Sequence, residues 1–242
     1  MKLNKRAITD IETYALEQYP NEMVGIIVSG DFIPLPNSSK DKENSIELLP
    51  EHYAQYCGRI EAVIHSHTCK LRNSPLFDPR TPSKMDMLNQ PKTKVPWGIV
   101  ATDGTDVMSA KFFPRVPNNN YIGREFTWYI NDCFTIVQDY YKFELDIEIP
   151  NHPYDYDLVE VMRQNYIYDK GYKAAGFIDL QSIENLQNGD ILVVHQGNLK
   201  GNHLAVVHDG QLLHQDMLSC FIPLNTFTGR IHKVLRHASK NI

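Results

Sequence analysis

Residues 114–122 read Pro-Arg-Val-Pro-Asn-Asn-Asn-Tyr-Ile. Two prolines and three asparagines continue neither a strand nor a helix well, and polar, proline-bearing stretches of this kind are where linkers fall. Near the middle of 242 residues, the stretch predicts two domains, residues 1–116 and 123–242, joined by a linker at 117–122. Halves of roughly 120 residues are each long enough to bury a core.

Upstream of the linker the pattern is mixed. Ile8, Ile11, Ala15 and Gln18 share one face of a helix that Pro20 ends. Short β-rich runs follow at residues 23–29, 60–65, 97–101 and 107–113, the last two parted by the turn signal Asp103-Gly104. Downstream, helices are expected over residues 132–143 and around 157–168. After Asn188-Gly189-Asp190 come strands at 191–195 and 203–207, with Asp209-Gly210 turning into 211–214. Helices followed by strands make this half α+β, and the whole chain an α+β protein of two domains.

Composition narrows the function classes. Twenty-four Lys and Arg against 29 Asp and Glu leave a formal charge of −5, so a sequence-independent nucleic-acid binder is not expected. The longest apolar run, residues 23–28, falls far short of the ~20 residues that span a bilayer, so no integral membrane segment is expected. Met1-Lys2-Leu3-Asn4-Lys5-Arg6 has charge without an apolar stretch behind it, so a signal peptide is not expected and synthesis in the cytoplasm is. Cys57, Cys69, Cys133 and Cys220 show no C-x-x-C pairing, which argues against a zinc ribbon or a disulfide framework.

Two constellations carry chemistry. In the first, Ile64-His65-Ser66-His67 ends a strand, and imidazoles two residues apart point to one face, as two ligands of one metal ion must. Ser83-Lys84-Met85-Asp86 opens a helix, so Asp86 can supply a third ligand and leave a fourth position for water. Glu22, beside a hydrophobic strand, is placed to take a proton from that water. Ser83-x-x-Asp86 fits a helix capping box equally well. The order Glu, His-Ser-His, Ser-x-x-Asp resembles the JAMM (JAB or MPN) metalloproteases, whose fold is a twisted sheet flanked by helices. The resemblance implies one zinc ion on His65, His67 and Asp86, with Glu22 as general base and Ser83 at the oxyanion. It also marks residues 68–82 as a longer gap than the family's motif has, able to form a lid or a partner contact, with Cys69 and Asp78 not ligands.

The second constellation starts at Asn131-Asp132-Cys133, a cysteine at a helix start, where the helix dipole and free N–H groups favour the thiolate. His203 opens one strand and His214 closes the next, so a hairpin brings them side by side. His195 and His208 compete with His203 for the role of base. Cys57, Cys69 and Cys220 read as core packing, and His232 and His237 as exposed. Gly123-Arg124, Trp128, Asn131-Asp132-Cys133, Asp139-Tyr140-Tyr141, Leu186-Gln187-Asn188-Gly189-Asp190 and Asn202-His203 resemble the NlpC-type, papain-like cysteine peptidases. The resemblance covers residues 121–215 and implies Cys133 as nucleophile, His203 as base and His214 as the third polar residue. Peptidoglycan peptides, or a related amide bond, are the substrate it implies.

Together the two halves resemble the tail assembly protein K family of lambda-like siphophages. That resemblance implies a tail-tip component of the virion, partnered by other tail-tip proteins and acting on the cell wall as DNA enters. Two further readings stay open: a structural tail-tip protein whose peptidase domains are vestigial docking modules, and a free lysis enzyme.

Overall fold

The computed structural model describes residues 1–68, 78–151 and 164–241. The chain forms two compact units, Met1–Arg115 and Val116–Ile242.

The first unit opens with α1 (Lys5–Gln18), capped by Asn4, whose side chain accepts from the Ala7 N–H. Its buried stripe is Ala7, Ile11 and Ala15, whereas Ile8 is exposed. The expected face is right at Ile11 and Ala15, and only Ile8 gives way, to Ala7. Two alanines four residues either side of Ile11 let the helix lie close to the sheet, which Ile8 would not. Five strands follow: β1 (Val24–Val28), β2 (Asp31–Leu35), β3 (Ile60–Thr68), β4 (Trp97–Thr102) and β5 (Val107–Phe113). They lie in the order β2-β1-β3-β4-β5. The β1–β2 turn is Ser29-Gly30, both at positive φ, the geometry of a tight two-residue hairpin. A short helix α2 (Pro50–Tyr53) precedes β3, and α3 (Lys84–Thr93) lies between β3 and β4, which pair in parallel. Parallel neighbours need such a crossover. Ile64 packs with Ile11, Met23 and Phe32 on the α1 side. Alternation along β3 then sends His65 and His67 off the other face.

In the second unit, α4 (Cys133–Leu145) lies against a six-stranded antiparallel sheet. The strands are β6 (Phe177–Asp179), β7 (Ile191–Gln196), β8 (Leu199–His208), β9 (Gln211–Gln215), β10 (Ser219–Pro223) and β11 (Ile231–His237), ordered β10-β9-β8-β7-β11-β6. One face, with Val193, Leu204, Val206 and Leu213, packs on Ile136, Val137 and Tyr141 of α4. The opposite face, with Leu192, Val194, Ala205 and Val207, packs around Phe227. A bidentate Arg236–Asp190 pair (2.6 and 2.8 Å) ties β11 to the turn before β7.

Several expectations are corrected. The helix expected around 157–168 falls largely outside the described residues, and its described end is a 3-10 turn at Ile167–Asp169. His232 and His237 are not free ends but lie half-buried on β11, inside the sheet. Cys57 is exposed and Cys220 only partly buried, so neither is core packing, while Cys69 lies outside the described residues.

Candidate functional sites

His65, His67 and Asp86 meet at one point. Nε2 of His65 lies 3.3 Å from Nε2 of His67, 3.2 Å from Asp86 Oδ1, and His67 Nε2 lies 3.3 Å from Asp86 Oδ2. A tetrahedral ion with bonds of about 2.0–2.1 Å spaces its ligand atoms about 3.3–3.4 Å apart. The donor set thus fits a metal ion, and it is the one such three-residue cluster among the described residues. The Pro79 carbonyl, 2.7 Å from His67 Nδ1, orients the ring from behind, as outer partners of metal-binding histidines do. His65 Nδ1 is buried without a hydrogen-bond partner, so the two rings are held unequally. Burial opposes charge on Asp86, but the two imidazoles hold its carboxyl well below the usual range. Burial alone would lower His67, yet its bond to Asp86 leaves it raised.

Glu22 is buried beside this cluster. Loss of solvent, with Asp86 adding to it and His67 opposing, pushes its carboxyl up to about 7. A carboxyl poised near neutrality suits proton transfer. Its backbone is fixed by two contacts: its N–H donates to Lys42 O (2.6 Å), and Asn37 donates to its carbonyl. Ser83 is the N-cap of α3. Its hydroxyl accepts from Asp86 N–H at 3.2 Å, and its own N–H donates to Asp86 Oδ2 at 2.8 Å, a complete capping box. The cap does double service, because it aims the Asp86 carboxylate at the histidines.

In the second unit Asp132 caps α4, accepting from the Phe134 and Thr135 N–H groups at 3.0 and 2.8 Å. Cys133 follows as the first helical residue and is 3% exposed. Its sulfur is 3.1 Å from the Tyr168 hydroxyl and also faces the N–H of Leu204, the residue after His203. Burial first, then the Asp132 charge, push the thiol up to about 12. The expected low thiol pKa is thereby corrected: desolvation outweighs the helix terminus.

His203 Nε2 is 3.1 Å from His214 Nδ1, so the structure joins these two as expected. Burial, then His214 and Arg230, hold His203 down at about 3, and burial lowers His214. No direct hydrogen bond joins Cys133 to His203. Leu204 packs with Cys133 on the α4 side, and His203 turns to the other side of β8, against Phe227 at 5.8 Å between rings. Of the competing histidines, His208 bonds to the Tyr140 hydroxyl (3.0 Å), and His195 accepts from the Gly201 N–H (2.8 Å).

Residues 123–230 match the NlpC/P60 family. The chain is 30% identical over 170 residues to Tail tip assembly protein K of Escherichia phage lambda, covering 69% of this chain and 76% of that one. It is 25% identical over 218 residues to Tail tip assembly protein K of Escherichia phage N15, covering 87% and 84% respectively. The chain belongs to the tail tip assembly protein K family.

Within this K-family chain, three residues at the sites carried no legible sequence signal. Tyr168 reaches Cys133 from an irregular segment with no motif. The Pro79 contact is made by backbone. Cys220 meets His214, with Sγ–Nε2 3.6 Å, only because β10 pairs with β9. Asp78 in this chain is engaged by Arg80 and Lys111: burial opposes its charge, but their bonds hold its carboxyl well below the usual range.

Proposed function

We propose that this chain is a tail-tip protein of a phage virion whose second unit is a cysteine peptidase for bacterial peptidoglycan peptides, used as the tail crosses the cell wall. The observation that supports it best is the joint one: an NlpC/P60 match over residues 123–230 that holds a helix-start cysteine and a hydrogen-bonded histidine pair. His203 Nε2 is engaged by His214, so Nδ1 is the nitrogen that would take the Cys133 proton, after a rearrangement that brings the ring, at rest on the Phe227 side of β8, to the sulfur. The sulfur then bonds to the substrate carbonyl carbon, and the leaving amine departs with the proton from His203. Water, deprotonated by the same ring, releases the acyl group and restores the thiol. The donors this reading assigns to the carbonyl oxygen are the Cys133 N–H and the Tyr168 hydroxyl, which lies 3.1 Å from the sulfur.

In the first unit, His65, His67 and Asp86 would hold zinc, Glu22 would carry a proton to or from the reacting water, and Ser83 would aim Asp86 and face the substrate oxygen. Zinc, when bound, would polarise a carbonyl and make water acidic. This unit would then supply a second, zinc-dependent peptidase activity on another amide bond.

Muropeptide digestion by the wild type beside Cys133→Ala tests the reading: fragments from the wild type alone support it. The second reading, domains kept as docking modules, draws on the resting state of the thiol, which is buried and has no imidazole bonded to it. It gains if the wild type releases nothing while remaining in the particle.

A further inference from the structure

Cys220 stands directly opposite His214 in the β9–β10 pair. Its sulfur is 3.6 Å from His214 Nε2, and Nδ1 of that same ring is 3.1 Å from His203 Nε2. Sulfur and two imidazoles thus form one hydrogen-bonded line across three adjacent strands, β10, β9 and β8. The peptidase chemistry above makes no use of the sulfur.

Counting protons along this line gives it a role. Burial keeps both rings neutral near neutral pH, and a neutral imidazole carries one N–H. A single proton therefore lies between the rings, and two arrangements exist. If the Cys220 S–H donates to His214 Nε2, then His214 Nδ1–H donates to His203 Nε2, and the remaining His203 nitrogen, Nδ1, carries its hydrogen. That ring cannot take a proton from Cys133. If instead His214 Nε2–H points at the sulfur, His214 Nδ1 accepts from His203 Nε2–H, and His203 Nδ1 keeps a free lone pair.

We infer that Cys220 is a positioning residue for the cysteine site, its sulfur accepting the His214 Nε2–H and so fixing both rings in the second arrangement. The inference rests on His203 being the base for Cys133, but the tautomers themselves are measurable without turnover. His214 is 7% exposed and Cys220 partly buried, so water competes poorly for that N–H. Sulfur is a weak acceptor, and a hydroxyl in its place would do the same work.

Two-bond 1H–15N spectra of the full chain labelled in histidine nitrogen read the tautomers. Wild type and Cys220→Ser are expected to show Nε2–H on both His203 and His214. Cys220→Val, which removes the acceptor at similar volume, should move His214 toward Nδ1–H, with Cys220→Ala as a second variant should valine fold poorly. On a wall peptide the same valine variant should lose kcat about ten-fold at unchanged KM, with serine restoring it, the scale seen when a histidine loses its orienting partner. Nδ1–H rings in the wild type, or a Cys220→Val spectrum identical to wild type, would overturn the inference. Expected spectra from a wild type that cleaves no wall peptide would support the arrangement and count against the peptidase reading instead.

Discussion

Nε2 of His65 and Nε2 of His67 face each other at 3.3 Å, and each lies 3.2–3.3 Å from an oxygen of Asp86. Two imidazole lone pairs so close repel unless a proton or a metal ion stands between them, and the carboxylate supplies the opposite charge either would need. The expected result is about one equivalent of zinc per chain by elemental analysis of the purified protein. His65→Ala/His67→Ala should remove it, since an open site has only three protein ligands to lose. Full occupancy in that double variant would show that the ion binds elsewhere.

Cys133 is the least available of the described thiols, despite its place at a helix start. It is 3% exposed and held up at about 12, whereas Cys57 is exposed and Cys220 partly so. Only thiolate reacts, so brief iodoacetamide treatment of the free protein near neutral pH should label Cys57 ahead of Cys133. Mass-spectrometric mapping gives the order. Cys133 labelled first would mean that the helix terminus outweighs burial, contrary to the geometry around Tyr168 and Leu204.

The contrast between these two sites shows what a sequence carries. His65 and His67 were legible because strand alternation fixes their common face within three residues, and Ser83-x-x-Asp86 because a capping box is local. The pairing of His203 with His214 followed from one turn, Asp209-Gly210. Long-range placement was not legible. Nothing in Tyr168 announces that it reaches Cys133, 35 positions away in sequence. The C-terminal strand β11 inserts between β7 and β6, so its histidines end inside a sheet that local pattern could not extend to them. That Ala7 and not Ile8 completes the buried stripe of α1 depended on how closely the helix approaches the sheet. Burial of Cys133 is a tertiary property too, and it reversed a pKa argument that was sound for an isolated helix.

Arg124 and Asp139 form a buried pair, Nη1–Oδ2 2.6 Å, with side chains 7% and 0% exposed. The same guanidinium donates to the carbonyls of Asn118 and Asn120, so it fastens the end of the inter-domain stretch to α4. Arg124→Met should destabilise the second unit by about 3–5 kcal/mol, because it removes the positive partner of a buried carboxylate. Arg124→Met/Asp139→Leu should recover much of the loss. Urea unfolding followed by tryptophan fluorescence measures both; a double variant no better than the single would locate the cost in the Asn118 and Asn120 contacts.

Val116 is 73% exposed, and Arg115 before it offers trypsin a site at the junction of the two compact units. Limited digestion is expected to cut there first and to yield two resistant fragments near 115 and 127 residues, counting 1–115 and 116–242. First cleavage within 186–214 would place the weak point inside the β7–β9 sheet and overturn the proposed boundary.

His203 makes the second unit sensitive to acid. An unfolded chain protonates this ring at about 6.5, but in the fold burial, His214 and Arg230 hold it down at about 3. Between those values the unfolded state binds the extra proton, so stability present above pH ~6.5 is lost as the pH falls toward ~3. With the ring 4% exposed, the loss approaches something on the order of 4 kcal/mol at the acid end. Carboxylates titrate over part of the same range, so the useful measurement is a difference. Urea midpoints of wild type and His203→Gln, taken from neutral pH downward, should run parallel above ~6.5 and converge below it, because glutamine has no proton to gain. His214, also lowered by burial, titrates in both proteins, so the difference carries in addition the change that losing its His203 partner makes in that ring. Curves that stay parallel down to the acid limit would mean that His203 takes up its proton at the same pH in the folded and the unfolded chain. The pair of neutral rings on which the sulfur-to-imidazole line through Cys220 depends would then hold only above that pH.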